Sequence, residues 1–245
     1  MTITPGQPVI PGYLWWSSLL WRALCSITGV TTLHARAERD AVCDALTVAG
    51  PDAPTLCAGW SAFDLAAHLV LRERRLDAMP GISLKPLAAY TDKVQRSLKA
   101  EFGFEGLVHA VRTGPTGVYR VVPGFDELVN TMEFFVHTED IRRAQPDWVP
   151  RESSPELEEV LWRRLRAGAR LMLRRAPVAV VLHRIGGHGG HGVALGGPKR
   201  APRVEVTGRA GELLLFCFGR QAHARVDLTG EERAANALRS ARLGT

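Results

Sequence analysis

The chain has four cysteines in 245 residues, Cys25, Cys43, Cys57 and Cys217, and none forms a Cys-x-x-Cys pair. That scatter argues against a zinc ribbon and against a disulfide framework, so a reducing cytoplasm is the expected location. An uninterrupted apolar run is also missing. Residues 13–30 are apolar and rich in Trp, but Arg22 breaks them, no basic stretch precedes them and no Ala-x-Ala-like site follows. A membrane span needs about 20 mostly apolar residues, so no membrane association is expected. Residues 1–33 read instead as an N-terminal extension that packs on the body, or as the product of a start codon placed too early. The balance of charge is ordinary: 23% of residues are charged and the formal net charge is +6, mostly from Arg. Such a balance excludes wholesale disorder and permits, without establishing, an acidic ligand. No internal repeat is present.

What is present is a run of helical patterns followed by a change of character. Residues 34–49 carry Ala35, Val42, Ala45, Leu46 and Ala49 on one stripe and end at Gly50-Pro51. Ser61 and Asp64 have capping-box spacing, which predicts a second helix over 61–78. Pro86 opens a helix, 104–111 forms a shorter helical piece, and further helices are predicted over 126–144 and 155–176. The last of these has an Arg-dense side (Arg163, Arg164, Arg166, Arg170, Arg174, Arg175), read as a solvated face partly paired with Glu156, Glu158 and Glu159. It has no interleaved exposed aromatics and no recognised binding motif, so no nucleic-acid partner is expected. After Pro177, strands are predicted at 178–182, 203–207 and 224–228, with a short one at 193–195. Residues 211–218 form a buried helix and 231–243 a terminal one. The expected organisation is a helical metal-binding domain at 34–177 and a small α+β domain at 178–245.

Three polar residues fall on apolar helix faces. His68 lies beside Leu65 and Leu69, and Glu133 and His137 sit one turn apart next to Val129, Met132 and Val136. A buried carboxylate and imidazole need partners, and a divalent metal is one. Two His and one Glu also leave a zinc ion with an open fourth position, the pattern of catalytic sites. Iron, nickel or manganese would suit the same donors. A competing cluster, His183, His188 and His191, lies in a Gly-rich turn that offers little preorganisation. Asp140, one turn past His137, is expected to pair with Arg143 rather than orient the imidazole.

The segments LCAGWSAFDLAAHLVLRERR, EFFVHTEDIRRAQP and GELLLFCFGRQAHARVDLTG resemble an actinobacterial family, the mycothiol-dependent maleylpyruvate isomerase-like (DinB-like) proteins, and most closely a metal-binding branch of it. The resemblance runs from about His34 to the C-terminus. It implies an α+β fold, a DinB-like four-helix bundle followed by a small α/β C-terminal domain, and a divalent metal, usually zinc, held by His68, Glu133 and His137. It also implies mycothiol as co-substrate, an electrophilic small-molecule substrate, and a functional Arg for which Arg220 is the nearest match. The activity expected is that of an S-transferase or thiol-assisted isomerase. The alternative is a non-catalytic metal-binding, sensing or interaction protein, and a homo-oligomer is left open.

Overall fold

The computed structural model of this protein describes residues 33–116, 124–186 and 192–244. The extension expected over 1–33 lies outside the described residues except for Leu33, and so do His188 and His191 of the competing cluster.

Helix α1 (Leu33–Ala49) buries Ala35, Val42, Cys43 and Leu46. Helix α2 (Ala62–Arg74) starts as predicted: the Ser61 hydroxyl accepts from the Asp64 backbone N–H, and the Asp64 carboxylate accepts from the Ser61 N–H. It ends before the predicted 78, because Arg75 leaves helical geometry and its guanidinium grips Asp77 in the following turn. After the one-turn α3 (Pro80–Ser83), the two pieces predicted between 86 and 111 join as α4 (Ala88–Thr113). They join across a kink at Gly103, whose φ of 62° glycine adopts without steric cost. Helix α5 (Phe125–Arg142) and helix α6 (Pro155–Met172, capped by Ser154) complete the helical part.

The rest is β1 (Ala179–Arg184), β2 (Gly192–Gly196), β3 (Arg203–Gly208), α7 (Ala210–Cys217), β4 (Asp227–Gly230) and α8 (Glu232–Ser240). The sheet order is β2-β1-β3-β4, with β1 and β3 parallel and both outer pairings antiparallel. The strand expected at 224–228 is displaced to Asp227–Gly230. The Arg225 backbone N–H is bound by the Glu212 carboxylate at 2.7 Å, which anchors that residue to α7 ahead of the strand.

Two apolar cores form. One joins α1, α2 and α4 with Phe134 and Ile141 of α5. The other joins Phe135 and Val136 of α5 with α6, the sheet, α7 and α8. The chain is therefore mixed helical with a small four-stranded sheet, as the α+β expectation required. The domain boundary expected at 177 falls within the second core, because α6 packs through Leu161, Leu165 and Ala169 with the sheet and α7.

Helix α5 is shared by both cores, so little of its surface is left for water. Asn130, Thr131, His137, Thr138, Glu139, Asp140 and Arg143 are all buried on or just after it. Buried polar groups cost several kcal/mol unless partnered, and each of these has found partners. Asn130 donates to Glu73 and Asp126, which also hold Arg39. Glu139 and Arg143 join a second network, described below. His137 and Asp140 belong to the candidate site.

Candidate metal centre

Helix periodicity brings the site together. On α2, His68 and Arg72 are four residues apart and share a face; on α5, Glu133, His137 and Asp140 lie along one stripe. The loop before α2 is tied to α5 by the Leu56 N–H, which donates to the Asp140 carbonyl at 3.0 Å. That loop delivers Cys57 and Trp60. The Trp60 ring lies 4.9 Å from the His68 ring, tilted 55°, and fixes one side of the imidazole.

The Glu133 Oε1 atom is the focus. It lies 3.0 Å from His137 Nε2, 3.8 Å from His68 Nε2 and 3.3 Å from Arg72 Nε. The two imidazole rings meet edge to face at 5.5 Å. His68 and His137 are buried, while the Glu133 side chain keeps 21% of its surface open to solvent. The three sequence-predicted ligands are thus brought to one point, with their donor atoms within 4.8 Å of one another. In a tetrahedral zinc site with bonds of about 2.0–2.1 Å, ligand atoms stand roughly 3.3 Å apart. The 3.0 and 3.8 Å spacings from Glu133 to the two imidazoles bracket that value, so this donor set is of the kind that suits a small divalent ion.

The opposite ring nitrogen of His137 is also engaged. Its Nδ1 lies 2.9 Å from Asp140 Oδ2. Arg220 clamps the same carboxylate with two parallel bonds, Nε to Oδ1 at 2.8 Å and Nη2 to Oδ2 at 2.6 Å. The Cys57 thiol adds a third donor at 3.3 Å. The Asp140–Arg143 pair expected from sequence does not form: Arg143 is held by Glu139 on α5 and by Glu212 on α7. Arg220 does reach the site, but its guanidinium is committed to Asp140 and to the Phe218 carbonyl rather than directed at open space.

Charge follows from this geometry. Burial presses the His68 imidazole down to about 4, so it is neutral at physiological pH. Burial acts on His137 in the same sense, but the Asp140, Cys57 and Glu133 contacts outweigh it and hold the imidazole well above its usual range. Glu133 lies well below the carboxylate range, since Arg72 and the two histidines overcome the cost of burial. Asp140, also buried, is held at about 2 by His137 and Arg220. Without a metal, His137 is therefore an imidazolium between two carboxylates, and a metal would take the place of its Nε2 proton.

Cys57, His137 and Asp140 form a second cluster of donor atoms. It suits a cation less well, because the Arg220 guanidinium already occupies both carboxylate oxygens of Asp140. In the rival Gly-rich turn, His183 of β1 lies on the sheet, 3.3 Å from Glu205. Sequence reasoning passed over Arg72, although its position four residues after His68 marks it as a neighbour of whatever His68 faces. It could not foresee the Arg220–Asp140 clamp, which joins residues 80 apart.

No family model and no curated protein matches this chain. Among solved structures, a crystal structure of a mutant of mycothiol-dependent maleylpyruvate isomerase is similar at 17% identity and a TM-score of 0.47, over 81% of this chain and 91% of that one.

Proposed function

We propose that this protein binds one divalent metal, zinc by preference, through His68, Glu133 and His137, and uses it in a thiol-dependent transfer or isomerisation of an electrophilic small molecule. The observation that carries the reading is the convergence of the three donors on one point, with Asp140 behind His137. Two neutral imidazoles and one carboxylate leave a bound divalent ion with net positive charge, which lowers the pKa of a thiol or water at its open position.

The chain's own residues have separable tasks. His68 is already neutral and needs to lose no proton to become a ligand. Asp140 accepts a hydrogen bond from the Nδ1–H of His137, which would aim Nε2 at the metal position, an arrangement common to metal-bound imidazoles. Arg220 holds Asp140 and is a positioning residue in this reading, in place of the substrate-binding role expected of it. Arg72 faces Glu133 and is the cation nearest the ligand set, suited to an anionic group on the substrate. The resemblance of the 56–75 and 133–146 segments to mycothiol-dependent proteins supports mycothiol as the thiol. The reaction class is attack of its thiolate on an electrophilic carbon: a C–S bond forms while the electron pair leaves with the displaced group in transfer, or moves onto a conjugated carbonyl in isomerisation and returns when the thiolate departs.

Elemental analysis of the purified protein beside His68→Ala and Glu133→Ala tests the site. The expected result is about one metal per chain, lost in both variants; metal retained by both would overturn it. A second reading, a metal-binding protein without catalysis, draws on the burial of both histidines. Turnover of mycothiol with 1-chloro-2,4-dinitrobenzene separates the two. Chelator-sensitive turnover supports the enzyme; loss of stability on chelation with no turnover supports the alternative.

A further inference from the structure

A groove of about 660 Å³ lies between the last turn of α6, β1 and the edge strand β2. Arg170, Arg174, Lys199 and Arg203 line it, and no carboxylate does. All four are exposed, and among the described residues none of them forms an ion pair. The only side-chain hydrogen bond found among them is a long one, from Arg174 to the Leu171 carbonyl at 3.4 Å. Glu205 faces the same side of the sheet opposite Val181, outside the groove lining, with its carboxylate 3.3 Å from His183.

The floor of the groove is aliphatic. Val181 and Leu195 are cross-strand partners, and Leu195 is 54% exposed because it points away from the second core. The turn after β2 is tightly built. A Cβ on Gly196 would come within 2.4 Å of Leu173, and one on Gly197, where φ is +71°, within 2.1 Å of the Val178 carbonyl. Lys199 is therefore presented from a close-packed turn.

Four neighbouring cations without counter-charge repel one another, and a ligand with several negative charges removes that cost. Arg guanidinium groups match phosphate oxygens in a two-point geometry. The aliphatic floor gains nothing from a bare hydrated anion and much from an apolar body. The concave shape and volume fall in the range of small-molecule sites, roughly 300–1,000 Å³. No aromatic side chain lines the groove, so it lacks the stacking platform of a single-stranded nucleic-acid channel.

We propose that this groove is a binding site for a soluble aliphatic phosphate ester, with a multiply charged head on Arg170, Arg174, Lys199 and Arg203 and its hydrocarbon on Val181 and Leu195. The site is independent of the metal centre. Isothermal titration calorimetry with geranyl diphosphate as the probe, and pyrophosphate as the head group alone, tests it on the full chain. Geranyl diphosphate is expected to bind about tenfold more tightly than pyrophosphate. The Arg170→Ala/Arg174→Ala variant should weaken both ligands about tenfold, while Leu195→Ser should weaken geranyl diphosphate alone. Arg163→Ala, on the same helix outside the groove, and His68→Ala should leave binding unchanged. Four results would overturn the proposal: equal affinity for the two ligands, equal loss in Arg163→Ala, loss in His68→Ala, or displacement by a 20-nucleotide single strand at lower concentration than geranyl diphosphate. All variants lie on the surface except His68→Ala, and thermal melts confirm that each is folded before titration.

Discussion

Asp140 is fully buried and still carries its charge, because Arg220, His137 and Cys57 all point at its two oxygens. Asp140→Asn keeps the shape and removes the charge that holds the Nδ1 proton. Its zinc affinity, measured by competition with a chromophoric chelator, is expected to fall about 10- to 100-fold; an unchanged affinity would remove Asp140 from the site's support. A pH dependence follows from His68. Its folded-state value, about 4, lies below the ordinary histidine value, so the unfolded chain takes up the proton first. The stability linked to neutral His68 is complete above pH about 6.5 and is lost as pH falls toward 4. His137 is shifted the other way; its contribution is complete below about 6.5 and declines as pH rises through its raised folded value. Between pH 6.5 and 4 the metal-free protein should therefore lose about 3 kcal/mol through His68. Urea unfolding of His68→Ala across that window should show a flatter limb, and an unaltered slope would contradict the assignment.

At the scale of elements, α2 and α5 were readable from spacing alone. The capping box set the start of α2, and the four-residue step put Glu133 beside His137. The 224–228 segment was misplaced because its alternation is real but the Arg225 N–H is taken by the Glu212 carboxylate instead of a strand partner. The Arg-dense side of α6 reads from sequence as a solvated face partly paired with nearby glutamates, yet Arg164 reaches back to the Glu127 and Leu128 carbonyls at the start of α5. Of the glutamates expected to neutralise that side, Glu158 binds the Ala210 N–H at 2.7 Å and Glu159 binds Arg184 at 2.6 Å. Helix α7 shows how close the packing on α5 is. A Cβ on Gly211 would stand 2.6 Å from the Phe135 ring. Gly211→Ala should cost about 1–3 kcal/mol in chemical unfolding even though alanine favours helix. A stabilised variant would show that the two helices separate freely.

At the scale of the whole molecule, the two cores are joined by charge as well as by the two faces of α5. Arg143 binds Glu139 on its own helix and Glu212 on α7, and stacks on Trp148 at 4.6 Å. Arg151 extends the network to Glu38 on α1. Removing one partner strands buried carboxylates, so Arg143→Ala is expected to destabilise the protein by about 3–5 kcal/mol. Because the network spans both cores, the two should still melt in one transition in the wild type and separate in the variant. Differential scanning calorimetry reads this directly, and a single unshifted transition would mean that the network contributes nothing to their coupling.

The linear chain determined which residues stand near one another along a helix and which faces are apolar, because periods of 3.6 and 2 residues are local properties. On that basis the α+β class, most of the elements and the juxtaposition of Glu133 with His137 were legible. Tertiary structure decided everything that depends on meetings between distant segments: His68 against Glu133, Arg220 rather than Arg143 on Asp140, and α6 in the core of the sheet. The physical reason is burial. Enclosing α5 between two cores left Glu133, Glu139 and Asp140 to take cationic partners from other segments, Arg72, Arg151 and Arg220, and no local pattern records which partner arrives.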